Sequence, residues 1–247
     1  MTELETKIKI TELREISDGK VTAIIVCGGS SSRMKGVDKM FALVSGVPVA
    51  VRSALKFQNS PLIDGIVIVT REEKMLEFQH LCKEYNLTKV TDIVPGGKCR
   101  QESVMNGLNT VSDDSPYILI HDGARPFVTE ECIERVLNGA KKCSAVTCAV
   151  PLKDTVKQIK KDGMVIGTPD RGSLCAVQTP QGFRTEIYKQ CAEAVADRLE
   201  DFTDDCSIIE ANGNSVYVVD GDYSNIKITT SEDLAFAQIL AEREEKE

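Results

Sequence analysis

Three short stretches of this chain combine small residues with charges in a way that suits phosphate chemistry. The first is Gly28-Gly29-Ser30-Ser31-Ser32-Arg33, with Lys39 six residues further on. Glycine lets a backbone come close to an anion, and successive backbone N–H groups can then point at it. Arg33 offers a rigid planar fork and Lys39 a compact, mobile charge. The spacing is neither G-x-G-x-x-G nor G-x-x-x-x-G-K-[ST], so the dinucleotide and P-loop ATPase patterns do not apply. A plain surface turn also favours glycine and serine; the two cations favour phosphate. The second stretch, residues 95–103 (PGGKCRQES), puts a glycine pair after an apolar run, then Arg100 and Ser103 in the first turns of a helix, where free N–H groups favour anions. An ordinary strand–helix turn has the same form. The third, residues 121–126 (HDGARP), delivers Asp122 from the end of an apolar run, beside Gly123 and Ala124. A carboxylate at such an edge is where Mg2+ is expected, with a turn or capping role as the alternative. His121 reads as a packed, hydrogen-bonded core histidine.

The elements that must hold these stretches alternate. Short apolar runs recur at 21–26, 65–70, 88–94, 117–121, 144–150 and 216–219. Amphipathic stretches with helical spacing lie at 47–59, 72–85, 100–111, 130–142, 186–199 and 232–242. Thr129 and Ser231 stand before acidic first turns as start signals. Continuous apolar strands alternating with helices predict an α/β fold, with a mostly parallel sheet covered on both faces and right-handed crossovers. In such sheets ligands bind beyond the carboxyl ends of the strands, where the strand order reverses. Residues 151–170 break the alternation. Two short runs, 155–160 and 164–166, flank Asp162-Gly163, a hairpin signal. This projecting β-arm suits contact with a second subunit, and equally a solvated surface hairpin.

Bulk properties narrow the function classes. The chain has 247 residues, 42% hydrophobic and 28% charged, enough for one large domain with a real core. Residues 1–20 form a charged leader without the apolar stretch of a secretory signal, and 21–247 read as a single domain that includes the arm. A net charge of −8 argues against a general nucleic-acid binder. No segment approaches the ~20 apolar residues of a membrane helix. The nine cysteines form no C-x-x-C pair, and two histidines make no zinc pattern. Scattered thiols fit a reducing cytoplasm.

The motifs CGGSSSRM…DK, GGKCRQES, HDGARPFV, PLKDTV, PDRGSLCAVQTPQGF, TDDCS and SNIKIT occur in that order between Val21 and Leu240. Together they resemble the 2-C-methyl-D-erythritol 4-phosphate cytidylyltransferases. The sister ribitol-5-phosphate cytidylyltransferases share the glycine loop, HD-x-x-RP, TPQ and NIKIT. The form Asp170-Arg171-Gly172-Ser173-Leu174 looks like the methylerythritol type.

The resemblance implies a Rossmann-like three-layer α/β/α sandwich of the nucleotide-diphospho-sugar transferase type. It also implies a homodimer through the 151–170 arm, and transfer of CMP from CTP to methylerythritol phosphate with Mg2+. Gly28, Gly29 and Ser31 would then hug the nucleotide, and Arg33 and Lys39 would stabilise the triphosphate in the transition state. Gly97 and Ser103 match the turn that reads base and ribose, and Gly123 would count with them among the nucleotide-binding residues. Asp122 matches the carboxylate near metal and substrate. Arg125, Thr155 and Thr179 match substrate contacts. Arg171 and Lys227 match the cations that place the incoming phosphate. The chain departs from the family at Asp38, where proline is common, at Lys98, where an acidic residue is common, and at Cys175, where an aromatic is frequent. The attacking phosphate oxygen is already anionic, so the chemistry asks for positioning and charge rather than a general base. Two other readings stay open: a ribitol- or sugar-phosphate nucleotidyltransferase, and a non-catalytic nucleotide-binding module.

Overall fold

The computed structural model describes residues 19–29 and 38–244. In chain order the elements are β1 (Val21–Val26), β2 (Leu43–Val44), β3 (Val47–Pro48), α1 (Val49–Asn59), β4 (Gly65–Thr70), α2 (Met75–Glu84), β5 (Val90–Pro95), α3 (Arg100–Leu108) and β6 (Tyr117–Asp122). They continue with α4 (Glu130–Cys143), β7 (Ala145–Pro151), β8 (Gln158–Ile159), β9 (Val165–Gly167), β10 (Cys175–Arg184), α5 (Thr185–Ala194), α6 (Asp205–Ala211), β11 (Tyr217–Asp220) and α7 (Ser231–Glu244).

Seven strands form one sheet in the order β11-β7-β10-β6-β1-β4-β5. All neighbours pair in parallel except β10, which runs antiparallel between β6 and β7. Strands β1, β4 and β6 are buried along their whole length, as continuous Val/Ile runs require when both faces are covered. Alternation along β1 assigns the layers. Ala23 and Ile25 pack with Phe57 of α1 and Ile133 and Val136 of α4. Ile24 and Val26 pack with Val104 of α3, Tyr188 of α5 and Ile208 of α6. This is the expected three-layer sandwich. A small third cluster joins α7 through Ala237 and Ala241 to Val44, Val49 and Phe127.

The sequence pattern misplaces some boundaries and misses β2, β10 and α6. The segment read as a helix from 47 begins with β3, the second strand of the β2–β3 hairpin, and the one read to 199 stops at Ala194 before a short 3-10 stretch. Thr129 caps α4, accepting from the Cys132 N–H at 3.2 Å. At α7 the cap is Thr230, not Ser231: its hydroxyl accepts from the Asp233 N–H at 3.2 Å. Neither β10 nor α6 stood among the apolar runs. The 151–170 arm does contain a hairpin, β8 with β9, turning at Gly163 with φ +88°. Of the leader, only Gly19 and Lys20 are described; Lys20 pairs with Asp114 at 2.7 Å. No helix among the described residues is long and apolar enough to cross a membrane. All nine cysteines are free.

Candidate active site

Strands β1 and β6 lie side by side with Val26 opposite Asp122. From β1 the chain turns toward β4, whereas from β6 it turns the other way, toward β7. The carboxyl ends of these two strands therefore flank a switch point, where an α/β sheet opens a crevice. Two cavities meet there. The smaller, about 340 Å³, is lined by Gly28, Gly29, Lys39, Gly97 and Ser103 among others. The larger, about 550 Å³, is lined by Arg125, Thr147, Gln178, Thr179 and Asp204 among others. Arg100, Asp122 and Lys227 line both. A hollow of about 440 Å³ between α2 and β5 contains none of the candidate residues.

Asp122 is the centre of charge. Lys227 Nζ lies 2.8 Å from its Oδ2, Arg100 Nε 3.3 Å from its Oδ1 and Arg125 Nε 3.6 Å from its Oδ2. Burial opposes ionisation of this carboxyl, but Arg100, Lys227 and Arg125 outweigh it and hold Asp122 well below the usual carboxylate range. Arg100 also reaches Asp205, with Nη1 2.5 Å from Oδ2. Asp205 is fully buried and accepts the Tyr188 hydroxyl at 2.9 Å.

Local structure explains how these groups converge. The ladder between β10 and β7 is irregular between Val177 and Gln181. Such an irregularity releases side chains from the pleat and re-aims them. Thr179 accordingly turns its hydroxyl to accept the Asp122 N–H at 3.0 Å. The segment carrying Lys227 is pinned from three sides. Gln178 Nε2 donates to Asp222 O at 2.8 Å, Asn225 Nδ2 to Thr179 O at 2.8 Å and Ile228 N to Ala124 O at 2.9 Å. Arg125 Nη1 adds a bond to Asn225 O at 2.8 Å.

The structure brings Gly28, Gly29, Lys39, Gly97, Ser103, Asp122, Arg125, Thr179 and Lys227 to this crevice. At Gly28 an added Cβ would meet nothing within 4 Å among the described residues, so the backbone there is bare. At Gly97 it would overlap the Glu102 side chain, and the Gly97 N–H is held by Ser103 Oγ at 2.9 Å. Gly123 does not line either cavity; it is small because its Cβ would strike Cys27 Sγ at the end of β1. Ser31 and Arg33 lie outside the described residues. Thr155 and Arg171 are exposed at the base of the arm, where Arg171 Nη1 donates to Lys153 O at 2.7 Å, and neither lines either of the two crevice cavities.

Comparison with known proteins decides the family. The sequence profile of the 2-C-methyl-D-erythritol 4-phosphate cytidylyltransferases (IspD) matches residues 21–243. The chain is 45% identical over 224 residues to the protein of that name from Dehalococcoides mccartyi strain 195, covering 91% of this chain and 97% of the other. It is 42% identical over 225 residues to that of Clostridium botulinum strain Okra, covering 91% and 98%. The crystal structure of the 4-diphosphocytidyl-2C-methyl-D-erythritol synthase of Anaerococcus prevotii superposes with a TM-score of 0.82 at 32% identity, covering 92% of this chain and 98% of the other. The chain belongs to the 2-C-methyl-D-erythritol 4-phosphate cytidylyltransferase family.

Within this cytidylyltransferase fold, two residues that line the crevice, Arg100 and Gln178, and two buried behind it, Asp205 and Asn225, were not singled out as site residues by sequence. Arg100 was visible only as a cation in a helix start. Asp205 stands in the TDDCS motif, but an acidic pair ahead of a short helix reads as capping, and Asp204 does cap it, accepting from the Ser207 N–H at 3.0 Å.

His121 is a core residue, as the sequence reading had it. Its Nε2 is 3.0 Å from Arg125 O, so that nitrogen carries the hydrogen. Nδ1 then accepts from the Thr179 hydroxyl at 3.1 Å. The ring is fully buried, and desolvation pushes its pKa from 6.5 down to about 4. The unfolded chain therefore binds a proton at His121 that the folded chain refuses. This contribution is complete above pH ~6.5 and is lost as pH falls toward 4. Its size is about 3 kcal/mol. Urea unfolding at pH 7 and pH 4.5 should show the wild type losing more stability than His121→Gln over that interval. Equal losses would contradict the buried neutral imidazole.

Proposed function

We propose that this protein transfers the cytidylyl group of CTP to 2-C-methyl-D-erythritol 4-phosphate. The products are 4-diphosphocytidyl-2-C-methyl-D-erythritol and pyrophosphate, within non-mevalonate isoprenoid biosynthesis. The observation that carries this reading is the single charged cluster, Arg100, Asp122 and Lys227, shared by two cavities at the switch point. A reaction that joins two anionic substrates needs two adjoining spaces with cations between them.

In this reading CTP occupies the smaller cavity. Gly28, Gly29 and Ser31 let the backbone meet the nucleotide, Gly97 and Ser103 border base and ribose, and Arg33 and Lys39 face the triphosphate. The methylerythritol phosphate enters from the larger cavity, toward Arg125 and Thr179. One of its phosphate oxygens forms a bond to the α-phosphorus as the bond to the pyrophosphate oxygen breaks. Lys227, located by Asp122, holds charge at the junction. Preorganised cations that meet developing negative charge without reorganising supply the rate enhancement.

The residues present fit a Mg2+ ion. Asp122 is the one carboxylate among the described residues lining the smaller cavity. No group of three or more His, Cys, Asp or Glu side chains among the described residues could hold a metal alone. One carboxylate with substrate phosphates and water is the donor set magnesium favours. When bound it would neutralise phosphate charge.

Thr155 and Arg171 belong to a homodimer in this reading, donated across an interface made by the arm. Ile159, Met164, Val165 and Ile166 supply exposed apolar surface that suits such a contact. Nine free thiols accord with a cytoplasmic setting.

The test is pyrophosphate release with Mg2+ and CTP, comparing methylerythritol phosphate with ribitol 5-phosphate. Release with the first only is expected. Release with the second only would move the protein to the sister activity. CTP binding with neither reaction would leave a nucleotide-binding module.

A further inference from the structure

Arg100 opens α3 and reaches the end of β6, where its side chain borders both cavities. Its two charged contacts diverge: Nε to Asp122 Oδ1 at 3.3 Å and Nη1 to Asp205 Oδ2 at 2.5 Å. Asp205 lines neither cavity and is 0% exposed. It is itself fastened on three sides. Tyr188 donates to Oδ1 at 2.9 Å, Arg100 holds Oδ2, and the Asp205 N–H donates to Gln181 Oε1 at 3.1 Å. A buried ion pair of this kind is weak evidence for a stabilising role, because desolvation offsets most of its attraction. A role in placing the site accounts for it better.

We propose that Asp205 is a positioning residue: by anchoring the Nη1 end of Arg100 it confines Arg100 to one oxygen of Asp122 and leaves the other oxygen to Lys227. A guanidinium prefers to close both of its parallel N–H groups on one carboxylate. Here the second carboxylate draws one end away. Asp122 Oδ2 is thereby left to Lys227 at 2.8 Å, with Arg125 Nε farther off at 3.6 Å. Without the Asp205 charge, Arg100 closes on both oxygens of Asp122, competes with Lys227 for Oδ2 and weakens its hold there. The Lys227 side chain is 40% exposed, so it swings into water. Asp205 also sets the charge that the ligands meet. Three cations facing Asp122 alone would leave a large uncompensated positive charge in a partly buried site; the second carboxylate reduces it.

The inference rests on the cytidylyl-transfer reading. It is tested with four proteins beside the wild type: Asp205→Asn, Arg100→Gln, the double variant, and Tyr188→Phe, which keeps the Asp205 charge but loosens it. Turnover is measured per folded site, counted by CTP binding. Asp205→Asn should lower kcat about tenfold, the kinetic equivalent of one charge-assisted hydrogen bond, with a smaller change in KM for CTP. The double variant should turn over like Arg100→Gln alone, because Asp205 acts through Arg100. Tyr188→Phe should lower kcat about two- to threefold in the wild-type background only. It carries the test if Asp205→Asn does not fold. A merely structural Asp205 would lower the melting temperature and leave kcat per folded site unchanged. That result, or additive losses in the double variant, would overturn the proposal. An inactive wild type would overturn both this proposal and the activity on which it rests.

Discussion

Lys39→Ala is expected to lower kcat by about 10²–10³ while the protein stays folded. Lys39 lines the smaller cavity, proposed above for the nucleotide, and a methyl group added at Gly29 would sit 3.8 Å from its ammonium. Its backbone is fixed on both sides. Asp38 pairs with Arg71 at the end of β4, and its carbonyl accepts the Phe41 and Ala42 N–H groups at 3.1 and 3.0 Å. Met40, on the other side, is buried in the core. In the proposed reading the charge is thus held at the triphosphate position before substrate arrives, which is the arrangement that makes a donor catalytically valuable. Asp38 stands where the family commonly has proline, and the Arg71 pair and the turn hydrogen bonds supply the rigidity. Lys39 is not among the buried core residues, so the melting temperature should barely move. Lys39→Arg should rescue only part of the loss, because a planar fork does not replace a compact point charge. Steady-state kinetics with calorimetric CTP binding checks this. Near-normal turnover in Lys39→Ala would remove Lys39 from the transition state.

The second large effect concerns stability as well as rate. Asp122→Asn should cost about 3–5 kcal/mol of folding stability, the usual price of leaving buried charge uncompensated. The three cations do not suffer equally. Lys227 can turn to water, and Arg100 keeps Asp205. Arg125 cannot escape: its side chain is 11% exposed, and its Nε has no hydrogen-bond partner, only the Asp122 charge at 3.6 Å. Adding Arg125→Met to Asp122→Asn should therefore recover much of the stability and none of the activity. Denaturant unfolding of the single and double variants measures the first, and pyrophosphate release the second. A single variant as stable as wild type would mean that Asp122 does not balance this cluster.

The parts of this molecule that were legible in its sequence are those where one physical rule acts alone. β1, β4 and β6 are uninterrupted apolar runs because both faces are buried, and they were found within a residue or two. The glycine-rich edges and Asp122 were found because small residues beside charges at a strand end have few other uses. β10 was missed because Gln178, Thr179, Pro180, Gln181 and Gly182 break any apolar pattern. The strand exists because its buried polar groups are satisfied in three dimensions, as when Gln181 Nε2 donates to Asp204 Oδ2 at 2.8 Å and to Thr147 Oγ1 at 3.1 Å. Arg100 and Asp205 were hidden for a related reason. They lie far apart in the chain, and nothing local distinguishes a helix-start arginine or a capping-type aspartate from a pair that meets beneath the site.

The reversed strand has a consequence for the protein's birth on the ribosome. β10 fills the slot between β6 and β7, yet it is made roughly 60 residues after β6 and after β7 and the arm. Until Arg184 emerges, β6 has a bare margin toward β10, and β7 has no neighbour at all, since β11 comes later still. At the usual speed of translation that interval is roughly 3–12 s. For that time the nascent chain carries an open, strongly apolar sheet edge of the kind that captures foreign strands. The half of the molecule that holds the glycine loops can mature early, whereas the half that completes the crevice is sealed by a late insertion. Pulse-labelled chains arrested before and after residue 184 should differ sharply in chaperone association.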